Sequence, residues 1–169
     1  PIPPKPWALT GAVHRKARHI CSLLLKEGAL EEHNYELQKC YQRIIASEIK
    51  FSEFQTDDCD VLIVAWGTCA RIAKGAITRA RSEGIKAALF RPITLWPFPL
   101  TQLKKLLLYG KSILVVEMNA GQMREDVERA AKDDTLVHFS GYPGGRVPTE
   151  SDIFSALTRF SETDKKATR

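Results

Sequence analysis

The chain lacks the short cysteine spacings of metal sites. Its four cysteines lie at 21, 40, 59 and 69 with no CxxC pair, so a zinc or iron–sulfur centre held by this chain alone is not expected. No apolar run reaches 18 residues and no signal-peptide pattern opens the sequence, which argues against a membrane span or a secreted product and for a reducing cytoplasm. Also missing are a nucleophile elbow, an HExxH helix, a GxGxxG fingerprint, a GxxxxGK[ST] loop and a GDG-type diphosphate motif. The four histidines, His14, His19, His33 and His138, show no ligand spacing, and His138, inside an apolar stretch, reads as a core residue.

Charge of one sign is not concentrated in one half. The net charge is +5 and the pI about 9.1. Residues 1–56 carry eight Lys/Arg against six Asp/Glu, and residues 57–169 seventeen against fourteen. The densest basic stretch, Arg71 to Arg91, holds a single aromatic, Phe90, so the basic stripe with stacking aromatics that marks nucleic-acid binding is missing.

What is present is 44% hydrophobic sequence in 169 residues, enough for one domain with a core. Residues 1–56 read as a linker and an amphipathic helix. The opening Pro1-Ile-Pro-Pro-Lys-Pro has no methionine and looks like a linker entered midway, as in a piece of a longer polypeptide. From about residue 29 to 50, Leu30, Leu37, Tyr41, Ile44 and Ile45 recur at helical spacing, predicting a helix roughly 33 Å long whose stripe is packed on something.

Residues 57–160 alternate strand and helix. Asp60–Trp66, Lys86–Phe90, Ser112–Glu117 and Thr135–Phe139 read as strands, the first apolar enough to be covered on both faces. Between and after them Arg71–Ser82, Leu100–Leu107, Gln122–Lys132 and a stretch opened by Thr149 and Asp152 read as helices, the last with a capping-box-like start. Lys50–Gln55 is expected to add an edge strand, with an antiparallel sense open to it. The implied fold is a three-layer α/β/α domain with a mostly parallel sheet of about five strands, followed by a polar tail over 161–169.

Four loops would then gather at the carboxyl edge of the sheet, where open α/β sheets present functional groups. The first is Gly67-Thr68, with Arg71 behind it. Gly67 lets the chain turn and Thr68 suits an N-cap, while the free amides there could hold an anion; both readings stand. The second is Arg91-Pro-Ile-Thr-Leu-Trp96-Pro-Phe-Pro, whose prolines and aromatics suit either an interface core or a loop folded onto its own domain. The third brings Glu117, Asn119 and Gln122 toward the crevice, and the fourth is Gly141 to Arg146. Cys69 reads as a small residue in a first helical turn rather than a nucleophile. No catalytic set is visible.

Taken together, DVLIVAWGTCARIAKGAI, GIKAALFRPITLWPFP, ILVVEMNAGQMREDV and GYPGGRVPTESDI resemble one family. They look like the C-terminal, transketolase-C-terminal-like domain of the alpha-type subunit of 2-oxoacid:ferredoxin oxidoreductases. KPWALTG and EEHNYELQKCYQRI look most like the branched-chain, 2-oxoisovalerate (3-methyl-2-oxobutanoate) member. The resemblance runs from about Lys5 to Phe160; Gly67-Thr68 and RPITLWPFP match, and Cys69 stands where a serine or another small residue is expected. It implies a multisubunit, thiamine-diphosphate-dependent enzyme that converts a 2-oxoacid to an acyl-coenzyme A and reduces ferredoxin through iron–sulfur clusters. It further implies that the thiamine pyrimidine site lies in a preceding domain and the diphosphate and Mg²⁺ site on the beta subunit. The chain alone would then bind no cofactor and be catalytically silent, serving assembly with beta-, gamma- and delta-type subunits in a homo- or hetero-oligomer. The alternatives are a free-standing flavodoxin-like phosphate- or nucleotide-binding module and the equivalent domain of a non-ferredoxin 2-oxoacid dehydrogenase. Nucleic acid and membrane are not expected partners.

Overall fold

The computed structural model describes residues 2–9, 11–17, 22–107, 112–131 and 135–167, with side chains through Phe160. His19, Cys21 and Lys132 lie outside the described residues. Two units separate, Pro1–Gln42 and Arg43–Arg169.

In the first unit the proline-rich start makes one tight turn, in which the Ala8 N–H donates to the Lys5 carbonyl at 3.0 Å. The Lys5 ammonium sits 5.1 Å from the centre of the Trp7 ring. The helix α1, Ala29–Ser47, begins here and ends three residues before the expected Lys50. None of its residues is buried: Leu37 and Ile44 are half-covered, while Leu30, Tyr41 and Ile45 are exposed. The stripe predicted from the spacing thus holds no fully buried residue.

The second unit takes in a five-stranded sheet. Its elements are β1 Phe51–Phe54, β2 Val61–Ala65, α2 Gly67–Ser82, β3 Ala87–Pro92, α3 Leu100–Leu107, β4 Ser112–Glu117, α4 Gln122–Glu128, β5 Val137–Gly141 and α5 Glu150–Ala167. The sheet order is β1-β3-β2-β4-β5. β2 pairs in parallel with β3 and β4, and β4 with β5. β1 pairs antiparallel with β3, Phe51 opposite Pro92. The mostly parallel three-layer fold is thus found, with the edge strand antiparallel. β1 lies before the boundary drawn at residue 57, and α5 runs through Ala167 into the stretch read as a polar tail.

Burial follows sheet position. All five residues of central β2 are buried, whereas edge strands β1 and β5 contain none. The pleat sends alternate side chains to opposite faces. Ile63, Ala65, Leu89, Leu114 and Val116 meet α2 and α5 on one side. Leu62, Val64, Phe90, Ile113 and Val115 meet α3 and α4 on the other. On α2 the buried face is mostly alanine (Ala70, Ala73, Ala76, Ala80) with Ile77, which lets the helix lie close to the sheet. Each fully buried Ile, Leu or Phe here stabilises the fold by about 1.5–3 kcal/mol.

The chain moves from β2 to β3 on one side, then crosses to β4 on the other. α2 leaves β2 toward one face and α4 leaves β4 toward the opposite face, so the strand order reverses between β2 and β4 and a crevice opens there.

Candidate functional site

The parallel order brings the loops after β2, β3, β4 and β5 to one edge. The start of α2 differs from its sequence reading. The helix begins at Gly67, not at Arg71, and Gly67 has φ +54°. Trp66 takes the N-cap position with no side-chain cap, and Thr68 falls inside the first turn, exposed. Thr68 is therefore not the cap that the sequence suggested: the left-handed glycine starts the helix one residue too early for it. Ala70 N–H reaches the Trp66 carbonyl at 3.2 Å, while the amides of Gly67, Thr68 and Cys69 find no acceptor in the helix, as first-turn amides do not.

Three clefts lie along this edge. The first, about 360 Å³, is lined by Gly67, Thr68, Ala70, Arg71, Lys74 and Arg91. Arg71 and Lys74 come from successive turns of α2 and Arg91 from the end of β3. Lys74 read in the sequence only as part of the exposed helix face it shares with Arg71 at i,i+3 spacing, not as a site residue. The second cleft is about 300 Å³, with Trp66, Leu95, Glu117, Asn119, Gln122, Met123 and Asp126. The third, about 230 Å³, sits where the strand order reverses, between Trp66, Thr68, Cys69, Met118 and Asn119.

Glu117 does not project freely into the crevice as expected. It is wholly buried, and its two carboxylate oxygens accept the N–H groups of Met123 at 2.9 Å and Arg124 at 3.0 Å. Asn119 Oδ1 likewise accepts the N–H of Gly121 at 2.8 Å and of Gln122 at 3.3 Å. Both side chains line a cleft while holding the start of α4 in place. Gln122 is exposed on the second cleft. Cys69 is 3% exposed; burial first, and then the charge of Glu117, pushes its thiol pKa up, so the thiol stays protonated. His138 is half-buried and stacks on Phe160 at 4.2 Å between ring centres.

The loop after β3 is anchored at its base. Thr94 Oγ1 accepts the Lys50 N–H at 3.0 Å and donates to the Pro97 carbonyl at 3.1 Å. The N–H groups of Ile93 and Thr94 donate to the Lys50 carbonyl at 2.9 and 3.1 Å. Pro92, Pro97 and Pro99 are buried, while Ile93, Leu95 and Trp96 are exposed, Trp96 by 58%. Trp96 lines none of the three clefts. Arg146, after β5, also stands apart from them: it donates to Asp152 at 2.9 Å and lies over the Tyr142 ring.

Residues 59–153 match the family described as pyruvate:ferredoxin oxidoreductase core domain II. The chain belongs to this family. Core domain II here therefore begins just before β2 and ends in α5, and it contains all three clefts. Among curated relatives, the ketoisovalerate oxidoreductase subunit VorB of Methanothermobacter marburgensis is 38% identical over 82% of this chain and 40% of its own length. The VorB subunit of Methanothermobacter thermautotrophicus is 39% identical over the same shares. The 2-oxoglutarate synthase subunit KorA of M. marburgensis is 31% identical over 75% of this chain and 35% of its own length. The chain spans about 40% of the VorB subunits it matches.

Two solved structures share the fold. One is the 2-oxoglutarate:ferredoxin oxidoreductase from Magnetococcus marinus with 2-oxoglutarate, coenzyme A and succinyl-CoA bound, with TM-score 0.65 and 22% identity over 76% of this chain and 23% of that one. The other is a split-gene transketolase, an inactive β4 tetramer, with TM-score 0.56 and 19% identity over 65% of this chain and 40% of that one.

No group of three His, Cys, Asp or Glu among the described residues could hold a metal ion, and no disulfide joins Cys40, Cys59 and Cys69 to one another. No helix among the described residues is long and apolar enough to cross a membrane.

Proposed function

We propose that this chain is the assembly domain of a cytoplasmic, thiamine-diphosphate-dependent 2-oxoacid:ferredoxin oxidoreductase acting on branched-chain 2-oxoacids. The observation that carries the assembly role is the loop after β3. Its base is pinned to Lys50 and its prolines are buried, yet Ile93, Leu95 and Trp96 point their apolar surface outward. Rigid, exposed aromatic and aliphatic groups bind a neighbour with little ordering cost. The carboxyl edge of core domain II then faces companion subunits, which supply the thiamine diphosphate, Mg²⁺ and iron–sulfur sites and deliver electrons to ferredoxin. Acyl transfer to coenzyme A belongs to the same assembled enzyme. The branched-chain substrate is supported by the higher identity to VorB subunits than to KorA.

The test is reconstitution of the subunit that carries this domain with its companion subunits, followed by coenzyme A-dependent reduction of ferredoxin. The expected result is a higher kcat/KM for 2-oxoisovalerate than for pyruvate or 2-oxoglutarate. A clear preference for either of the other two acids overturns the substrate assignment, and failure of the domain to co-purify with any companion subunit overturns the assembly role.

A further inference from the structure

We propose that the cleft between the first turns of α2 and the end of β3 binds a phosphate group, as a free anion or on a nucleotide-sized ligand. Arg71, Lys74 and Arg91 line it, and no carboxylate does. Neither arginine has a hydrogen-bond or ion-pair partner among the described residues, and Lys74 has only the Phe54 ring, 5.3 Å from its ammonium. Three like charges around one cleft repel each other, and no ion pair to a carboxylate among the described residues offsets them.

The second observation is Arg91. Its Nε is fully buried and has no hydrogen-bond partner. A guanidinium N–H removed from water without an acceptor is costly, and the half-buried Arg91 lines the cleft, where a ligand oxygen on its guanidinium would offset part of that cost. A guanidinium presents a planar fork that matches phosphate oxygens, and Arg71 offers a second. The unpaired amides of Gly67 and Thr68 begin α2 at the same cleft, adding donors and the positive end of a 16-residue helix. The space, about 360 Å³, lies in the small-ligand range. The site lies apart from the Ile93–Trp96 loop and does not depend on the assembly role.

The experiment is a titration of the full chain followed by amide NMR, with inorganic phosphate, ADP and a glutamate-rich peptide as separate probes against matched sodium chloride. Phosphate or ADP is expected to shift the Gly67, Thr68 and Cys69 amides. Tighter binding of ADP identifies a nucleotide source, and equal binding a free anion. Arg71→Gln and, separately, Arg91→Gln are expected to weaken binding by about tenfold or more, with amide signals of β4 and α4 unchanged. Arg71 is exposed, so its variant tests the site even where Arg91→Gln disturbs β3. The proposal is overturned by the absence of shifts beyond the chloride control, by shifts that persist in both variants, or by shifts with the acidic peptide alone, which would assign the cleft to a carboxylate of a protein partner.

Discussion

The buried Glu117 carboxylate accepts the N–H of Met123 at 2.9 Å across the β4–α4 turn. Its second oxygen takes the N–H of Arg124, so one side chain fixes the direction in which α4 leaves the sheet. Replacing it with glutamine keeps one carbonyl acceptor and turns an NH₂ group toward an N–H. Glu117→Gln is therefore expected to lose about 1–3 kcal/mol in urea unfolding. Chemical-shift changes should centre on Asn119–Arg124. A variant as stable as the wild type would show that these two bonds contribute nothing net.

Arg81 ties three segments together at the opposite end of α2. Its guanidinium donates to the carbonyls of Ala87 and Gln55, both at 2.8 Å, and to Asp58 Oδ1 at 2.7 Å. Arg81→Met leaves three acceptors to water or to nothing and is expected to cost about 1–3 kcal/mol at neutral pH. The hydrogen bond from Arg81, ahead of its charge, holds the Asp58 carboxyl below the usual range. A carboxyl depressed in the folded state contributes above its unfolded value, and that contribution is lost as pH falls through the folded one. Below about pH 4 the wild type should lose stability more steeply than Arg81→Met. Unfolding curves at neutral pH and at pH 3 compare the two.

Much of this organisation was legible in the sequence because it rests on local periodicity. The apolar run of β2 and the alanine-rich face of α2 each announce themselves, as do the bounds of α3 and β4. Where the reading fell short, the cause was non-local or stereochemical. The start of α2 at Gly67 needs a left-handed residue, which a 3.6-residue pattern does not register. α4 stops at Glu128, short of the expected Lys132, where the Ala130 N–H turns to the Val127 carbonyl at 2.9 Å. The cationic cleft joins Arg71 and Arg91 across twenty positions, and only the β2–α2–β3 crossover brings them together. The inward turn of Glu117 was invisible for a related reason: its partners are backbone amides, which carry no sequence signature.

Thr149 and Asp152 form the reciprocal cap expected of α5. The Thr149 N–H donates to Asp152 Oδ2 at 2.9 Å and the Asp152 N–H to Thr149 Oγ1 at 3.1 Å. The bond from the Thr149 amide, then that from its hydroxyl, lowers the Asp152 pKa. Thr149→Ala is expected to cost about 0.5–2 kcal/mol. Because α5 covers the sheet face shared with α2, the loss should appear in global thermal unfolding rather than as local fraying. Serine at this position should restore most of the stability; an unstable Thr149→Ser variant would sink the capping account.

Gly141 ends β5 in a space that admits no side chain. A Cβ there would lie 2.6 Å from the Phe139 ring and 2.9 Å from the Asn119 carbonyl oxygen. At Gly67 an added Cβ meets nothing within 4 Å, leaving only the left-handed φ as a penalty. Gly67→Ala is thus expected to cost about 1–2 kcal/mol without reshaping its surroundings. Gly141→Ala is expected to cost about 1–3 kcal/mol and also to displace Asn119. Amide shifts at Gly121 and Gln122, whose N–H groups Asn119 holds, separate the two outcomes.

Trp96 provides the sharpest separation between folding and assembly. With more than half its surface exposed and Pro97 buried beside it, its ring contributes little to the domain that carries it. Trp96→Ala is expected to change the unfolding free energy of the chain by no more than about 0.5 kcal/mol. At an interface the same truncation removes a large rigid anchor, and such anchors cost 2 kcal/mol or more when lost, roughly a thirtyfold weakening. Sedimentation of the wild type against Trp96→Ala, alone and with companion subunits, reads both quantities. Equal association of the two proteins excludes the Ile93–Trp96 loop as the contact, and a drop in the melting temperature matching the loss of association would mean that the ring serves the fold.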